Sequence, residues 1–417
     1  MTSANRSQLW FVARPMGPLF FGDTRPNQAG ELHHAWSRFP PPVRAWQGLL
    51  RTHLLRAVRP ALDLNDHSRV ARERCKELVG SAHRLPRGWQ IHGAMPAELC
   101  AEDGEAGEPA WLPWLPMPAM TLKEKRKEQP DCLRYPRPLP DRQGGLPENQ
   151  PLLGRPDLDC RAAGGWCSAR TLLALLGGEL EGKPLKSLEW TPDVRPPFVR
   201  EETQSGLALD NRAGRSANAM NGMLYFQRQL RLDDGCGFIG GIEGALPEGL
   251  DPSALSQAQA TWGRKARPVA LETTERLASA WRALQSGEHL GDFRNAVDEQ
   301  DCFWLITLTP VALDEPTHPQ PRLEDFPGVR FITEGAIAGR PVTVGGFDMA
   351  RGEPLENQAM LPAGASWLFR LEGGDGQTRA AALRALNNGF RLGHPHQAAF
   401  GYGQTLVGLY LSKFTGD

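Results

Sequence analysis

Side chains that could transfer a proton on their own are few in this sequence. His53 and His394 are the histidines that could act as an acid or a base, and Tyr402 lies in the same glycine-rich stretch as His394. Such a group can cleave RNA without a metal when it is placed against the 2′-hydroxyl and the scissile phosphate. The sequence offers no evident second polar partner for any of the three. An endoribonuclease is therefore retained only as an alternative.

Two glycine-rich segments begin like nucleotide-binding motifs but fail on their surroundings. Residues 235–240 (GCGFIG) fit the dinucleotide pattern, which requires a helix to follow at once. Gly241, two further glycines and Pro247 follow within residues 241–251, which favours a strand. Residues 177–183 (GGELEGK) begin like a phosphate-binding loop, but Pro184 stands where a Ser or Thr would bind magnesium. We expect no nucleotide cofactor.

Metal-binding and hydrolase patterns are also poor. No Cys-x-x-Cys occurs, and the only close histidine pairs are His33-His34 and His394-Pro395-His396, which have no carboxylate or thiol nearby in sequence. The sequence contains neither Gly-x-Ser-x-Gly nor His-Glu-x-x-His. We therefore expect neither a metal nor a cofactor, although the absence of these motifs does not exclude an enzyme.

Charge is segregated along the chain even though the formal net charge is only −1, from 47 basic and 48 acidic residues. Arg14 to Arg59 contains seven arginines and two acidic residues, a local net charge of +5. Thr378 to Lys413 contains four basic residues and no acidic one, a local net charge of +4. A wholly basic coat is excluded, and each of these stretches taken alone is either a solvated surface or a face that contacts nucleic acid.

The chain has 417 residues, enough for two or three domains, and its 12 Trp and 16 Phe exclude wholesale disorder. Its 45 glycines and 36 prolines predict many loops and argue against a helical bundle. The sequence shows no apolar run of the length that spans a membrane. Seven cysteines without a disulfide-framework spacing suggest reduced thiols. We expect a cytoplasmic protein without a membrane partner.

Local patterns predict a mixture of strands and helices. The strands are expected at Gln8–Met16, Cys302–Leu313, Val342–Phe347, Ala365–Leu371 and Thr405–Leu411, and a hairpin is expected to join Met223–Leu232 to Cys236–Ile242. The helices are expected at Val43–Val58, Ala169–Leu176, Leu271–Leu284 and Arg379–Leu386. Because the strands and helices do not alternate strictly, the fold class is expected to be α+β with mostly antiparallel sheet.

Residues from about 60 to 165 break this pattern and are interpreted as an insertion of loops and short helices in the first domain. The insertion contains Trp111-Leu112-Pro113-Trp114, for which two hypotheses stay open. The segment is either packed inside the insertion or exposed as a docking element for another protein. We place the domains at 1–190, with the insertion at about 60–165, and at 191–417.

Four segments, taken together and in this order, carry a specific resemblance. They are Pro18-Leu-Phe-Phe-Gly-Asp-Thr-Arg-Pro26, continuing through Gly30 to Gly48-Leu-Leu-Arg51; Gly206-Leu-Ala-Leu-Asp-Asn-Arg-Ala-Gly-Arg215 with Gly222-Met-Leu-Tyr225; Gly345-Gly-Phe-Asp-Met-Ala350 with Leu361-Pro-Ala-Gly-Ala-Ser-Trp367; and Asn388-Gly-Phe-Arg-Leu-Gly393 to Ala399-Phe-Gly-Tyr-Gly403. The sequence resembles the third subunit of the Cmr series, a member of the RAMP superfamily, in type III-B CRISPR effector complexes.

The resemblance implies two ferredoxin-like (RRM-like) RAMP domains with large insertions. It also implies a non-catalytic, RNA-binding subunit of an antiviral ribonucleoprotein that holds the 5′ handle of the guide RNA (crRNA). The implied protein partners are the large polymerase-type subunit, a backbone RAMP subunit and the other subunits of the Cmr complex. The alternative is a metal-independent RAMP endoribonuclease that processes CRISPR repeat RNA.

The basic stretches overlap the family segments, which makes particular residues candidates for RNA contact. Glycines let phosphates approach the backbone, and arginines neutralise them. Aromatic rings such as Phe400 and Tyr402 could stack on bases. The candidates are Arg25, Arg44, Arg51, Arg212, Arg215, Gly389, Arg391, Gly393, His394, Gly401, Tyr402 and Gly403. The sequence departs from the family at Gly22, where the family usually has Arg, and at Asn27, where Phe is common. One basic contact in the first loop is thereby put in doubt.

Overall fold

A computed structural model describes residues 8–22, 34–58, 63, 66, 68–101, 107–126, 129–138, 153–210, 218–291, 302–348 and 351–410. The fold mixes strands and helices and is rich in strands. It divides into two compact units, each assembled from three stretches of chain. Unit 1 comprises Met1–Trp89, Pro197–Glu275 and Thr343–Asn357; unit 2 comprises Gln90–Pro196, Arg276–Val342 and Gln358–Asp417. This partition differs from the expected single boundary near residue 190, because each unit draws on both halves of the sequence.

The described strands are β1 (Gln8–Pro15), β2 (His34–Trp36), β3 (Gln90–Cys100), β4 (Ala110–Pro116), β5 (Leu122–Glu124), β6 (Cys132–Arg134), β7 (Arg137–Pro138), β8 (Leu153–Gly154), β9 (Cys160–Ala162), β10 (Trp166–Ser168), β11 (Trp190–Thr191), β12 (Val199–Asp210), β13 (Asn218–Leu232), β14 (Cys236–Glu243), β15 (Gln257–Trp262), β16 (Arg267–Thr273), β17 (Cys302–Thr307), β18 (Arg330–Ile337), β19 (Val342–Asp348), β20 (Glu353–Met360), β21 (Ser366–Glu372) and β22 (Thr405–Leu409). The described α-helices are α1 (Val43–Ala57), α2 (Arg69–Val79), α3 (Ala169–Leu176), α4 (Ser279–Ser286), α5 (Gly376–Leu386) and α6 (Pro395–Ala399). None of these helices is long and apolar enough to cross a bilayer.

Unit 1 is built on an antiparallel run of strands in the order β14, β1, β16, β15. A second sheet joins the long hairpin β12–β13 to β2, which runs parallel to β13. Helix α1 begins at Val43, directly after three prolines. Proline is favoured at the start of a helix and disfavoured in its interior. Its buried face includes Trp46, Leu50 and Leu54, which follow helical spacing and are 0% exposed.

Unit 2 contains a four-stranded antiparallel sheet in the order β18, β21, β17, β22, with α5 between β21 and β22 in sequence. Its apolar core includes Phe303, Phe331 and Phe369, whose ring centroids lie 5.4–5.9 Å apart. An irregular segment links β17 to β18 at the place where a ferredoxin-like pattern has its first helix. The ferredoxin-like organisation therefore stays a prediction, whereas the strand-rich α and β content is observed.

Several elements predicted from local patterns are confirmed. The first strand, the helix from Val43 and the helix Ala169–Leu176 correspond to β1, α1 and α3. The later predictions at 302–313, 342–347, 365–371, 379–386 and 405–411 correspond to β17, β19, β21, α5 and β22, with ends that differ by up to six residues. Clear periodicity between strong boundaries was sufficient for these elements.

The hairpin predicted at 223–242 is wrong. A turn does form there, since the Cys236 amide donates to the Asp233 carbonyl at 3.2 Å. Strand β13 nevertheless pairs with β12 on one edge and β2 on the other, so that neither edge is left for β14. Strand β14 instead pairs with β1 in the other sheet.

The helix predicted at 271–284 is also wrong over its first half. Val269 and Leu271 alternate into the core of unit 1 as part of β16, and the helix α4 begins only at Ser279. The insertion at 60–165 is not made of loops and short helices alone, because it contains β3 to β9. Its Trp111 and Trp114 are about 95% buried in β4, which favours the packed hypothesis over an exposed docking element.

Replacing Phe303 by Ala should lower the free energy of unfolding by about 3–5 kcal/mol, because it leaves a cavity among three packed aromatic rings. Chemical denaturation followed by tryptophan fluorescence measures this change. Val194→Ala in the same unit is the matched control, since Val194 is 75% exposed and should change stability by less than about 0.5 kcal/mol. Equal effects of the two substitutions would contradict this core assignment.

Candidate nucleic-acid interface

The hairpin β12–β13 brings Gly206 and Tyr225 of the second family segment opposite one another. They form a cross-strand pair, and a Cβ atom added at Gly206 would lie 2.2 Å from Cζ of Tyr225. The tyrosine ring therefore lies directly across the glycine backbone. Any side chain at position 206 would displace the ring, so this glycine sets the position of an aromatic group.

The turn between β15 and β16 adds positive charge beside that ring. The Nζ atom of Lys265 lies 5.5 Å from the centroid of the Tyr225 ring, within the range of a cation–π interaction. Lys265 also donates to Oε1 of Gln227 at 3.0 Å. Arg267, the first residue of β16, donates to Oε1 of Gln204 on β12 at 3.1 Å.

A second aromatic–cation pair joins β2 to β13. Trp36 and Arg228 are neighbours in the parallel pairing, and Cζ of Arg228 lies 3.9 Å from the Trp36 ring centroid. Trp36 is nevertheless 41% exposed. The His34 ring stacks on Phe226 at 5.3 Å, two residues earlier on each strand. Arg228 is only partly neutralised, by Glu201 at 3.4 Å.

Helix α1 presents Arg44 toward a glycine of the third family segment. A Cβ atom added at Gly346 would lie 2.7 Å from Cδ of Arg44, so the arginine stem fills the space that the glycine leaves open. The guanidinium continues to the Ala82 carbonyl, to which it donates at 3.0 Å. The first and third family segments are thus in contact, because the side chain of Arg44 packs on the backbone at Gly346. Arg44 is half-buried.

Arg51 is engaged inside unit 1. Its two Nη atoms donate to the Gly80 carbonyl at 2.7 Å and to Oε1 of Gln47 at 3.0 Å. Burial lowers the pKa of Arg51 to about 10; Asp348 of the third segment acts in the opposite direction, and Arg44 lowers it further. Phosphate contact by Arg51 stays a prediction, and it would require these internal bonds to be exchanged.

The C-terminal glycine-rich loop in unit 2 is fixed by internal bonds. Arg322 donates to the carbonyls of Gly393, at 2.9 Å, and Phe390. The side chain of Gln404 donates to Oδ1 of Asn388 at 2.7 Å and lies 3.3 Å from Nδ1 of His92. A Cβ atom on Gly389 would lie 2.1 Å from the carbonyl oxygen of Ala385, so this glycine accommodates the chain's own backbone.

This loop contains no acidic residue in sequence, but two aspartates from another segment lie beside it in the fold. Arg391 forms an ion pair with Asp325 at 2.9 Å, and Nε2 of His394 lies 3.8 Å from Oδ1 of Asp314. Both carboxylates come from the segment between β17 and β18. Arg391 and His394 remain partly exposed, and their contact with RNA stays a prediction.

The expected stacking of bases on Phe400 and Tyr402 is corrected by their burial, since each side chain is only 2% exposed. Gly401 and Gly403, which flank Tyr402, are buried as well. These glycines turn the chain inside unit 2, with φ values of 99° and 73°. The expectation of an open glycine backbone is therefore not met at positions 401 to 403.

Three of the predicted arginines, Arg25, Arg212 and Arg215, lie outside the described residues, as does His33 of the first histidine pair. Their neighbours in sequence are described: Gly22 pairs with Ser37, and the strands β12 and β13 lead toward the second gap. The structure therefore brings the first two family segments together in unit 1 and places the fourth in unit 2.

The motifs set aside as nucleotide sites have structural roles. Residues 236–243 form β14, not a helix. Glu181 of the Walker-like segment accepts from Arg134 at 3.0 Å and from Arg155 at 3.3 Å, which makes it part of an ion-pair network. Within the ranges that the structure describes, no group of three or more His, Cys, Asp or Glu residues could hold a metal ion.

His53 is a core residue of unit 1. It is only 4% exposed, and its ring meets Phe11 edge-on at 5.9 Å. Burial lowers the pKa of His53; the backbone at Leu255 acts in the opposite direction, and Arg56 lowers it further. A histidine in this position cannot reach a scissile phosphate, which corrects its choice as an acid–base candidate.

Several of the interface residues were missed in the sequence: Trp36, Tyr225, Arg228, Arg264 and Lys265. The signal for the last two was present as the run Gly263-Arg-Lys-Ala-Arg267, three basic residues in a short turn. The aromatic–cation pairs depend on pairing between distant strands, which local patterns do not give.

A family model described as "CRISPR-associated protein (Cas_Cmr3)" matches residues 11–410 and confirms the resemblance found in the four segments. Two cryo-EM structures are similar, one of "Type III-B Cmr-beta bound to cognate target RNA and AMPPnP, state 1" and one of "Type III-B Cmr-beta bound to cognate target RNA". The first is 14% identical over 86% of each chain, and the second 12% identical over 87% of this chain and 86% of the other; the TM-score is 0.41 for both. A search of curated proteins returns no match.

Gly403→Ala should destabilise the protein more than Gly328→Ala. Both glycines have positive φ, 73° and 86°, so both substitutions should cost about 1–2 kcal/mol for the left-handed backbone. Only at Gly403 would the new Cβ atom crowd the Leu392 carbonyl, at 2.9 Å, and Val311, at 3.1 Å, while nothing lies within 4 Å of the one at Gly328. We expect a further loss of about 1–3 kcal/mol, read from denaturant unfolding. A Gly403→Ala protein as stable as the Gly328→Ala protein would contradict a packing role.

Stability should fall as the pH drops below about 6.5, because the unfolded chain binds protons on histidine that the buried His53 resists. Above that pH the histidine is neutral in both states, and its contribution to stability is fully present. His53→Leu should flatten the dependence of the unfolding free energy between about pH 7 and pH 5. Burial also lowers the pKa of His289, so His289 still contributes to the pH dependence of the unfolding free energy in this variant. An unchanged slope would show that His53 does not resist protonation.

Proposed function

This chain belongs to the CRISPR-associated Cas_Cmr3 family, and from that premise we propose that it is the subunit that anchors the 5′ handle of the crRNA in a type III-B effector ribonucleoprotein. The subunit is non-catalytic in this proposal and acts by binding. Its protein partners are the large polymerase-type subunit, a backbone RAMP subunit and the other Cmr subunits. The two units correspond to RAMP domains of ferredoxin-like origin, and the complex works in the cytoplasm.

The observation that carries the proposal is the pairing of aromatic and cationic side chains on the sheet β12–β13–β2. Trp36 lies against Arg228, and Tyr225 lies beside Lys265. Single-stranded RNA is held by aromatic rings that stack on bases and by cations that neutralise phosphates. Both pairs lie where the first two family segments meet. The side chains best suited to bind RNA are therefore found beside the segments that carry the family resemblance.

The predicted RNA contacts divide into three groups on this proposal. Arg25, Arg212 and Arg215 form the first group; they lie outside the described residues and remain predicted contacts from the sequence. Gly389, Arg391, Gly393 and His394 form a second contact on unit 2, where Arg391 would exchange Asp325 for a phosphate. Arg44 and Arg51 contribute long-range attraction, because their donors are already bonded to carbonyl and amide oxygens.

The alternative of a repeat-processing endoribonuclease has less support. It would need a proton-transfer group facing the RNA. His53 and Tyr402 are buried, and the partly exposed His394 has Asp314 as its carboxylate neighbour. An imidazole beside a carboxylate could still act as a general base, so RNA cleavage is a measured outcome below.

Incubation of the purified full chain with labelled CRISPR repeat RNA, without metal, should give a retarded and uncut band. Trp36→Ala should weaken binding by about 1–3 kcal/mol if this ring stacks on one base. Phe347→Ala is the matched control, because Phe347 is another exposed aromatic residue of unit 1, at 54% exposure, outside the sheet β12–β13–β2. Fragments in place of a retarded band would favour the endoribonuclease, and an equal loss in both variants would contradict the assigned surface.

A further inference from the structure

We propose that Arg264, in the turn between β15 and β16, contacts an RNA phosphate at the place where its guanidinium covers Gly22. This inference rests on the proposed function, since it names a residue of the same RNA surface. Position 22 is glycine in this chain, within the segment Pro18-Leu-Phe-Phe-Gly22. Arg264 is distant in sequence and belongs to none of the four family segments.

The guanidinium of Arg264 occupies the space directly above Gly22. A Cβ atom added at Gly22 would lie 2.5 Å from Nε, 2.6 Å from Cζ and 2.9 Å from Cδ of Arg264. These distances are far shorter than a van der Waals contact, so an arginine at 264 and a side chain at 22 cannot hold these positions together. The two positions therefore compete for one place on the surface, and in this chain residue 264 fills it.

The turn that carries Arg264 is fixed at both of its sides. Trp262 at its start is buried against Phe21 at 4.8 Å and Phe238 at 5.2 Å, and its Nε1 donates to the Ala45 carbonyl at 2.9 Å. The backbone amide of Arg264 donates to the Phe20 carbonyl at 2.8 Å. The position of the guanidinium over Gly22 is thus set by the same segment that contains Gly22.

The backbone after Arg264 is held in a left-handed conformation. Lys265 and Ala266 have φ values of 62° and 47°, which residues with a side chain rarely adopt. Backbone conformations of this kind occur in hairpin turns and cluster at ligand-binding sites. Here the conformation sends Arg264 to Gly22 and Lys265 to Gln227, on either side of the turn.

The basic side chains of this turn contact neutral groups. Lys265 is bonded to the amide oxygen of Gln227, and Arg267 to that of Gln204. Glu202 is the nearby acidic residue on β12; its pKa is lowered mainly by Arg231, with a smaller contribution from Arg267. Arg264 lies on the backbone of a glycine. A phosphate can meet such cations without displacing a strong ion pair, and a guanidinium can offer it two parallel donors.

Arg264→Ala in the full chain tests this assignment with oligouridylate as the probe, because a phosphate contact does not depend on base sequence. The loss of one contact to a single strand should make the slope of log K against log salt shallower by about 0.7 and weaken binding about 5-fold at 0.1 M salt. Arg200→Ala is the matched control, since Arg200 is an exposed arginine of β12 whose partner is Asp233. Its slope should stay unchanged.

The exchange of the two positions gives the sharper test. Gly22→Arg combined with Arg264→Ala should restore the slope. The arginine at position 22 then occupies the place that the Arg264 guanidinium fills in the unaltered chain. Gly22 has no positive φ, so an arginine there needs no unusual backbone conformation. Gly22→Arg alone should leave the slope unchanged, because the two side chains compete for one place.

The outcomes separate the inference from the proposed function. If the unaltered chain binds neither repeat RNA nor oligouridylate, both are overturned. If it binds both but Arg264→Ala keeps the full slope while remaining folded, only the role of Arg264 is overturned. A restored slope in the exchanged variant supports the inference, and a slope that stays shallow in a folded exchanged variant counts against a shared phosphate position.

Discussion

The contact on which the rest of the interface depends is the packing of Trp262 against Phe21. The indole is buried among Phe21, Trp46 and Phe238, with centroid distances of 4.8–5.6 Å. It joins the first family segment, helix α1 and the turn after β15 in one aromatic core. Because the Phe20 carbonyl accepts the amide of Arg264 beside it, the polar part of the surface is held in place by the apolar part. Loss of this contact would release three charged side chains at once.

The glycines of the family segments serve mainly as room for side chains of the same protein. The ring of Tyr225 packs over Gly206, the aliphatic part of Arg44 over Gly346, and the guanidinium of Arg264 over Gly22. The sequence predicts open backbone for phosphate at glycines of the fourth segment, Gly389, Gly393, Gly401 and Gly403. The structure instead indicates an indirect role in unit 1, where a missing Cβ atom allows an aromatic or cationic group to lie flat on the surface.

Local periodicity was sufficient for elements whose boundaries are marked in the sequence. Helix α1 follows three prolines, and α3 begins at Ala169 with Ser168 accepting a hydrogen bond from the Thr171 amide. Pairing between strands was not predictable in the same way, because β13 has two possible neighbours in sequence and the choice depends on a ladder that runs from Val199↔Leu232 to Asp210↔Asn218. The surface on β12–β13–β2 follows from that choice, which explains why its aromatic–cation pairs were missed while the family segments that bound it were found.

Positive charge in a sequence therefore has to be weighed by what each cation already binds. Arg51 and Arg322 stand in basic or glycine-rich surroundings, yet both donate to backbone carbonyls, and burial lowers the pKa of each. Lys265 lies near the half-buried ring of Tyr225, and Arg264 covers Gly22. Arg264 and Lys265 are exposed and therefore accessible to a phosphate, whereas Arg51 and Arg322 are half-buried. The free energy of RNA binding should accordingly come from the turn 262–267 and the sheet beside it more than from the arginines that stand out in the sequence.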